Sequence, residues 1–348
     1  MQTANYVPEM CVWELTLKCN MRCIHCGSMA GRPREGELEI RECFKVADQL
    51  LALGCKEVSF IGGEVFLYEG WELIAERMSR GGAYVTIITN GFVMGDKQIS
   101  QIKAGGLGSV AVSIDGMEAN HDRIRNVRGS FRRAIAALDR LREEGMRVSV
   151  VTCITDFNYG DLEELYKLLV EHGVLAWQLQ LASPMGNMNA NRGYLIDPAV
   201  LPGITRFIRQ KRHEGEIRTY AGDNIGYYDE NEMYLRSFPG RVAVWEGCQA
   251  GIKVVGIDSV GNVKGCESIY TEEFIEGNLR EETLDVIWNK EGNFSYNRNF
   301  NLNMLTGRCA RCPKAALCRG GCRGTNWFNR GKLHESAYCC YPGNGGGA

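Results

Sequence analysis

Cys19, Cys23 and Cys26 lie in the run Cys19-Asn20-Met21-Arg22-Cys23-Ile24-His25-Cys26, a C-x3-C-x2-C spacing. Three thiolates this close can bind one face of an iron–sulfur cluster, and the run supplies no fourth ligand. Three ligands on a four-iron cluster leave one iron open, able to take a small chelating ligand and pass it an electron. Competing chemistries fit less well. Structural zinc favours four ligands in paired spacings. A bacterial ferredoxin needs C-x2-C-x2-C-x3-C, and covalent haem needs C-x-x-C-H, whereas Gly27 follows Cys26.

A second set of cysteines sits in the last third. Cys248 precedes Gly261 and Cys266, then comes Cys309-x2-Cys312-x5-Cys318-x3-Cys322, and finally Cys339 and Cys340. The chain has fifteen cysteines in all. Its start, Met1 to Met10, has no apolar signal core, so a cytoplasmic location is expected. There, cluster ligation explains the cysteines better than disulfides do. Cys11, Cys43, Cys55 and Cys153 fall in expected helices or strands and read as small apolar residues. The net charge of −2 argues against a nucleic-acid surface. No run of 18 apolar residues suggests a membrane span.

The elements that must position the trio alternate regularly. Strands are expected at 11–17, 57–61, 84–89, 109–114, 148–154 and 176–181. Helices are expected at 38–53, 71–78, 99–104, 131–144 and 162–171, several stopping at a glycine such as Gly54, Gly145 or Gly173. Six strands alternating with helices imply a parallel sheet with right-handed crossovers, and chemistry at the strands' C-terminal ends. The trio follows the first strand.

With these elements the chain resembles the radical S-adenosylmethionine (radical SAM) enzymes. The resemblance implies an α/β fold: a partial (β/α)6 TIM-like barrel over about 1–200. A bridging segment at 201–240 and a small, loop-rich cluster-binding domain at 241–348 would follow. Around the barrel mouth it implies SAM contacts. Gly62-Gly63-Glu64 would meet the methionine amino group, with Val65 where the family usually has Pro. Ser113 and Asp115, with help from Asn90, would face the ribose. His25 and Leu181 would lie near the adenine.

The last third resembles the SPASM extension, which holds two auxiliary 4Fe–4S clusters. By position, Cys248, Cys266 and Cys322 would hold the first, with a fourth ligand left open. Cys309, Cys312, Cys318 and Cys339, or Cys340 in its place, would hold the second. Cofactors implied are thus SAM and three 4Fe–4S clusters, with an electron donor of the flavodoxin or ferredoxin kind. SAM would be cleaved to a 5′-deoxyadenosyl radical that abstracts hydrogen from substrate, and an auxiliary cluster would take up the next electron. Glu267, directly after Cys266, stands where sulfatase-maturing relatives carry an Asp base.

Many such relatives modify ribosomally made peptides, so a peptide is the expected substrate; the alternatives are a small molecule such as a sugar, alcohol or tetrapyrrole, a sulfatase-maturing type of activity, and last a non-enzymatic Fe–S or zinc protein. Only 18 residues precede Cys19, so a separate leader-binding protein is a further expected partner. Residues 223–236 read as an amphipathic bridging helix.

Overall fold

The computed structural model describes residues 6–342. Six β/α units run in order: β1 (Met10–Thr16), α1 (Ile40–Ala52), β2 (Glu57–Gly62), α2 (Trp71–Arg80), β3 (Tyr84–Thr89), α3 (Asp96–Ala104), β4 (Ser109–Ser113), α4 (Glu118–Arg125), α5 (Ser130–Glu143), β5 (Val148–Ile154), α6 (Leu162–Glu171) and β6 (Ala176–Leu181). Then come α7 (Asn187–Ala190), α8 (Leu201–Glu214), β7 (Arg218–Ala221) and α9 (Glu232–Arg236). The C-terminal part holds β8 (Val254–Ile257), β9 (Asn262–Lys264), β10 (Gly277–Asn278), α10 (Leu284–Asn289), α11 (Ser295–Arg298), α12 (Ala315–Cys318) and α13 (Arg323–Arg330).

β1 to β7 are parallel neighbours in chain order. This is the expected TIM-like α/β architecture. Alternate residues on each strand face the helices and form the core, among them Trp13, Phe60, Ile87, Val112, Val150 and Trp177. Trp177 sits against Tyr166 of α6 and, edge-on at 5.9 Å, Phe207 of α8. Truncating such a buried aromatic costs about 3–5 kcal/mol.

Three features depart from the expected layout. Helix α4 was not expected, because its eight residues are almost all polar and only His121, Ile124 and Arg125 are buried. The segment taken as a bridge contains α8 and β7, and its helix covers only Glu232–Arg236 rather than 223–236. A hairpin around 258–262 forms as β8 and β9, and β8 pairs in parallel with β1 through Met10↔Val254 to Trp13↔Ile257. The sheet therefore runs β10-β9-β8-β1-β2-β3-β4-β5-β6-β7. The C-terminal cysteine region is stitched directly onto the strand that leads into the trio.

Candidate active site

The trio loop leaves β1 and is held from three sides. Its base closes through Gly31 N–H donating to Leu17 O (2.7 Å) and Cys19 N–H to Gly31 O (3.2 Å). From α4, the Ile124 carbonyl accepts the Ile24 N–H at 2.9 Å. From the loop after β6, Asn187 donates its backbone N–H to Cys26 O (2.9 Å) and its side-chain amide to Cys23 O (3.0 Å). Gly186 allows that approach. It has φ +55°, and a Cβ there would strike the Cys26 and Gly27 carbonyls.

The Gly62-Gly63-Glu64 turn serves the same loop. A Cβ on Gly63 would lie 2.6 Å from the Leu17 carbonyl oxygen and closer still to that of Lys18. The glycines thus let β2's exit lie against the start of the cysteine loop. The Glu64 carboxylate faces inward rather than toward an open site. It accepts from Thr89 Oγ1 (2.8 Å) and Asn90 N–H (2.9 Å). Burial raises its pKa, and these two bonds oppose that rise. Its backbone is engaged as well: the N–H donates to Lys18 O at 2.9 Å, and the carbonyl accepts the Leu67 N–H at 3.0 Å. The Asn90 side-chain amide reaches the trio loop, donating to Asn20 Oδ1 at 2.7 Å.

Asp115 corrects another expectation. It is fully buried, and its carboxylate meets Arg125 Nη2 (2.6 Å), His25 Nε2 (3.2 Å) and the Cys153 N–H (2.8 Å). Burial opposes its charge, but Arg125 and then His25 outweigh that and hold the carboxyl well below the usual range. A carboxylate so engaged does not present itself to a ribose. His25 is likewise tied to Asp115 rather than standing clear beside an adenine. Ser113 keeps its place at the end of β4, on the opposite face from core residues Val110 and Val112. Leu181 packs in the helix-side core, and its backbone exchanges hydrogen bonds with Asn224. Arg125, which spacing alone did not single out, lies with Nη1 4.0 Å from Cys23 Sγ.

The cysteines sort by how their sulfurs bond. Cys19, Cys26, Cys266, Cys309 and Cys312 accept backbone N–H bonds at 3.3–3.4 Å from Met21, Ala30, Ser268, Ser336 and Lys314. That is the pattern around cluster-bound sulfur, where such bonds help set the potential. Cys55 instead donates to the Glu57 carbonyl at 3.2 Å, and Cys43 meets the Tyr68 hydroxyl at 3.3 Å.

Burial pushes Cys23 up to about 11, Cys266 to about 12 and Cys318 to about 12, and neighbouring thiols add to each rise. Those neighbours fall into three groups: Cys19, Cys23 and Cys26; Cys248, Cys266 and Cys322; Cys309, Cys312, Cys318 and Cys339. Such thiols ionise readily only beside a cationic centre. Among the described residues, no three His, Cys, Asp or Glu side chains converge on a single-ion position. The donor sets suit multi-iron clusters. Cys340 interacts with Cys339, Asp229 and Arg308. Asp223 is the carboxylate that bears on Cys322.

Glu267 is buried, has no hydrogen-bond partner on Oε1, and accepts from the Lys264 ammonium on Oε2 at 3.1 Å. Burial raises its pKa to about 7; Lys264 opposes the shift, while Glu14 and Asp258 add to it. Arg34 bridges the trio loop's far end to this cluster, bonding Glu14, Ser259 (2.7 Å) and Tyr270.

A barrel edge carrying a three-cysteine loop, joined to a cysteine-rich extension, defines a class of enzyme. Residues 13–169 match the radical SAM superfamily, and residues 248–313 match the SPASM iron–sulfur cluster-binding domain. The chain belongs to the radical SAM superfamily and carries a SPASM extension, so its cofactors are SAM and iron–sulfur clusters, auxiliary ones included.

Among its relatives, the AdoMet-dependent heme synthase of Methanosarcina barkeri is 27% identical over 97% of this chain and 97% of its own. The mycofactocin maturase MftC of Mycobacterium ulcerans is 28% identical over 97% of this chain and 89% of its own. In fold, SuiB of Streptococcus suis superposes with TM-score 0.74 at 17% identity, covering 95% of this chain and 76% of that one. Among the described residues no helix is long and apolar enough to cross a membrane.

Proposed function

We propose that this enzyme oxidises or cross-links a ribosomally made peptide, with Glu267 as the base that removes a proton from substrate. When bound, SAM and the cluster on Cys19, Cys23 and Cys26 supply the hydrogen-abstracting radical, and the auxiliary clusters an electron sink. The chain's own part is to hold the trio loop through Asn187, Gly186 and the Asp115–Arg125 pair, and to keep a poised carboxylate one residue from Cys266. The observation that carries the base role is that Glu267 is buried, with Oε1 unpartnered. A base with a pKa near the working pH transfers protons best.

The peptide reading draws on the strand faces opposite the core. There Tyr220 donates to Gln178 Oε1 (3.1 Å) and Gln178 Nε2 to Gln180 Oε1 (3.4 Å). Side-chain amides of this kind match the alternating donors and acceptors of a peptide backbone. A tetrapyrrole is the second reading, favoured by the near-complete coverage of the heme synthase relative. Anaerobic incubation with short peptides encoded beside the gene, and separately with iron-coproporphyrin, followed by mass spectrometry, tests the choice. A peptide mass change of −2 supports the proposal; turnover of the porphyrin alone overturns it.

A further inference from the structure

Residues 292–334 contain eight Lys or Arg and no Asp or Glu, in a chain whose net charge is −2. Five of these cations are already engaged. Arg323 is buried on Asn297 and the Arg319 carbonyl, Arg298 bonds two carbonyls, Arg308 donates to the Ser336 carbonyl, and Arg330 and Lys332 share Glu335. The other three, Arg311, Lys314 and Arg319, stand beside the cysteines of the third group. Arg311 and Lys314 are exposed and flank Cys312, with Ala310 and Pro313 also at the surface. Leu317, 43% exposed, sits among them. Lys314 lies 5.6 Å from the Tyr228 ring and Arg319 5.8 Å from that of Phe300. The nearby acids are Glu335, held by Thr306 and its two cations, Asp229 and Glu232 near Cys340, and the exposed Glu246, which bears on Tyr228.

We infer that this patch docks an acidic one-electron carrier protein. The inference rests on the reading of Cys309, Cys312, Cys318 and Cys339 as cluster ligands. Cys312 is part-exposed, so a cluster there would lie under a thin layer of chain at the centre of a cationic surface. A cationic rim around an exposed leucine gives an acidic partner fast, salt-sensitive encounter. Electron-transfer interfaces are small and weak, which suits a patch of this size. An RNA strand would call for stacking aromatics along a basic groove, and the exposed side chains here are cationic and aliphatic.

The test uses the cluster-loaded full chain, with an acidic [2Fe–2S] ferredoxin as probe and single-stranded RNA as competitor. Binding is measured at 20, 50 and 150 mM salt for wild type and for the double variant Arg311→Glu, Leu317→Glu. Iron content checks that the variant still loads. The expected result is ferredoxin affinity that falls with salt and drops about tenfold or more in the variant, with dithionite-driven SAM cleavage unchanged. Equal ferredoxin affinity in both proteins, or RNA displacing ferredoxin from wild type, would overturn the inference. The cluster reading is tested apart by Cys312→Ala: full iron retention there would defeat that reading whatever the docking result.

Discussion

Asp115 and Arg125 form a buried ion pair at 2.6 Å, and the same guanidinium lies 4.0 Å from the sulfur of Cys23. One carboxylate at the end of β4 thereby anchors a cation from α4 and, through His25 at 3.2 Å, the cysteine loop itself. Removing one partner leaves the other charged and unpaired in the interior, a loss of about 3–5 kcal/mol. Asp115→Asn should therefore lower the thermal midpoint strongly. Asp115→Asn with Arg125→Met should recover part of it, since the orphaned cation is gone. Anaerobic thermal unfolding of the three proteins checks this; a double variant no more stable than the single would refute the pairing.

The glycine turn after β2 makes a second prediction. Gly63→Ala must displace the Leu17 or Lys18 carbonyl, and overpacking against backbone costs about 1–3 kcal/mol. Gly160, with nothing within 4 Å of an added Cβ, is the control. Gly63→Ala should lower stability and the iron held by the trio; Gly160→Ala should change neither.

Glu267→Gln keeps the shape of the side chain and removes the base. SAM cleavage should persist while product formation falls about 100-fold or more. Turnover assays that follow 5′-deoxyadenosine and product separately would show it. Equal yields from variant and wild type would dismiss the base role.

A fourth prediction concerns pH. Arg280 bonds Glu42 at 2.7 Å and holds its pKa down to about 2 from 4.5. The pair links α1 to the segment after β10. A depressed carboxylate contributes stability fully above 4.5, and loses it as pH falls toward 2. Both side chains are partly exposed, so the contribution is under about 1 kcal/mol. The stability gap between wild type and Glu42→Gln should be present at pH 6 and vanish near pH 2; urea unfolding at both pH values measures it.

Strand order and helix ends were legible because alternation and glycine stops are local signals. The cysteine-rich stretches stood out because close spacing of one residue type is also a local signal. Helix α4 escaped because a polar octet buries only three side chains, although one of them is Arg125. The roles of Asp115 and His25 escaped for a different reason. The two meet across 90 residues of chain, and Arg125 reaches Asp115 from the unexpected α4, while ordinary strand-exit polarity looks the same whether it faces a ligand or an ion pair. Asn187 and Gly186 are farther still from Cys23 and Cys26, and no local periodicity marks a loop that closes on another loop.

The most direct test of the central claim is anaerobic iron and sulfide content, with SAM cleavage assayed alongside, for wild type and for the triple variant Cys19→Ala, Cys23→Ala, Cys26→Ala. The account predicts about twelve irons falling to about eight, as for three four-iron clusters losing one, with 5′-deoxyadenosine made only by wild type. Zinc in place of iron, or no SAM cleavage by fully loaded wild type under strong reductant, would contradict it.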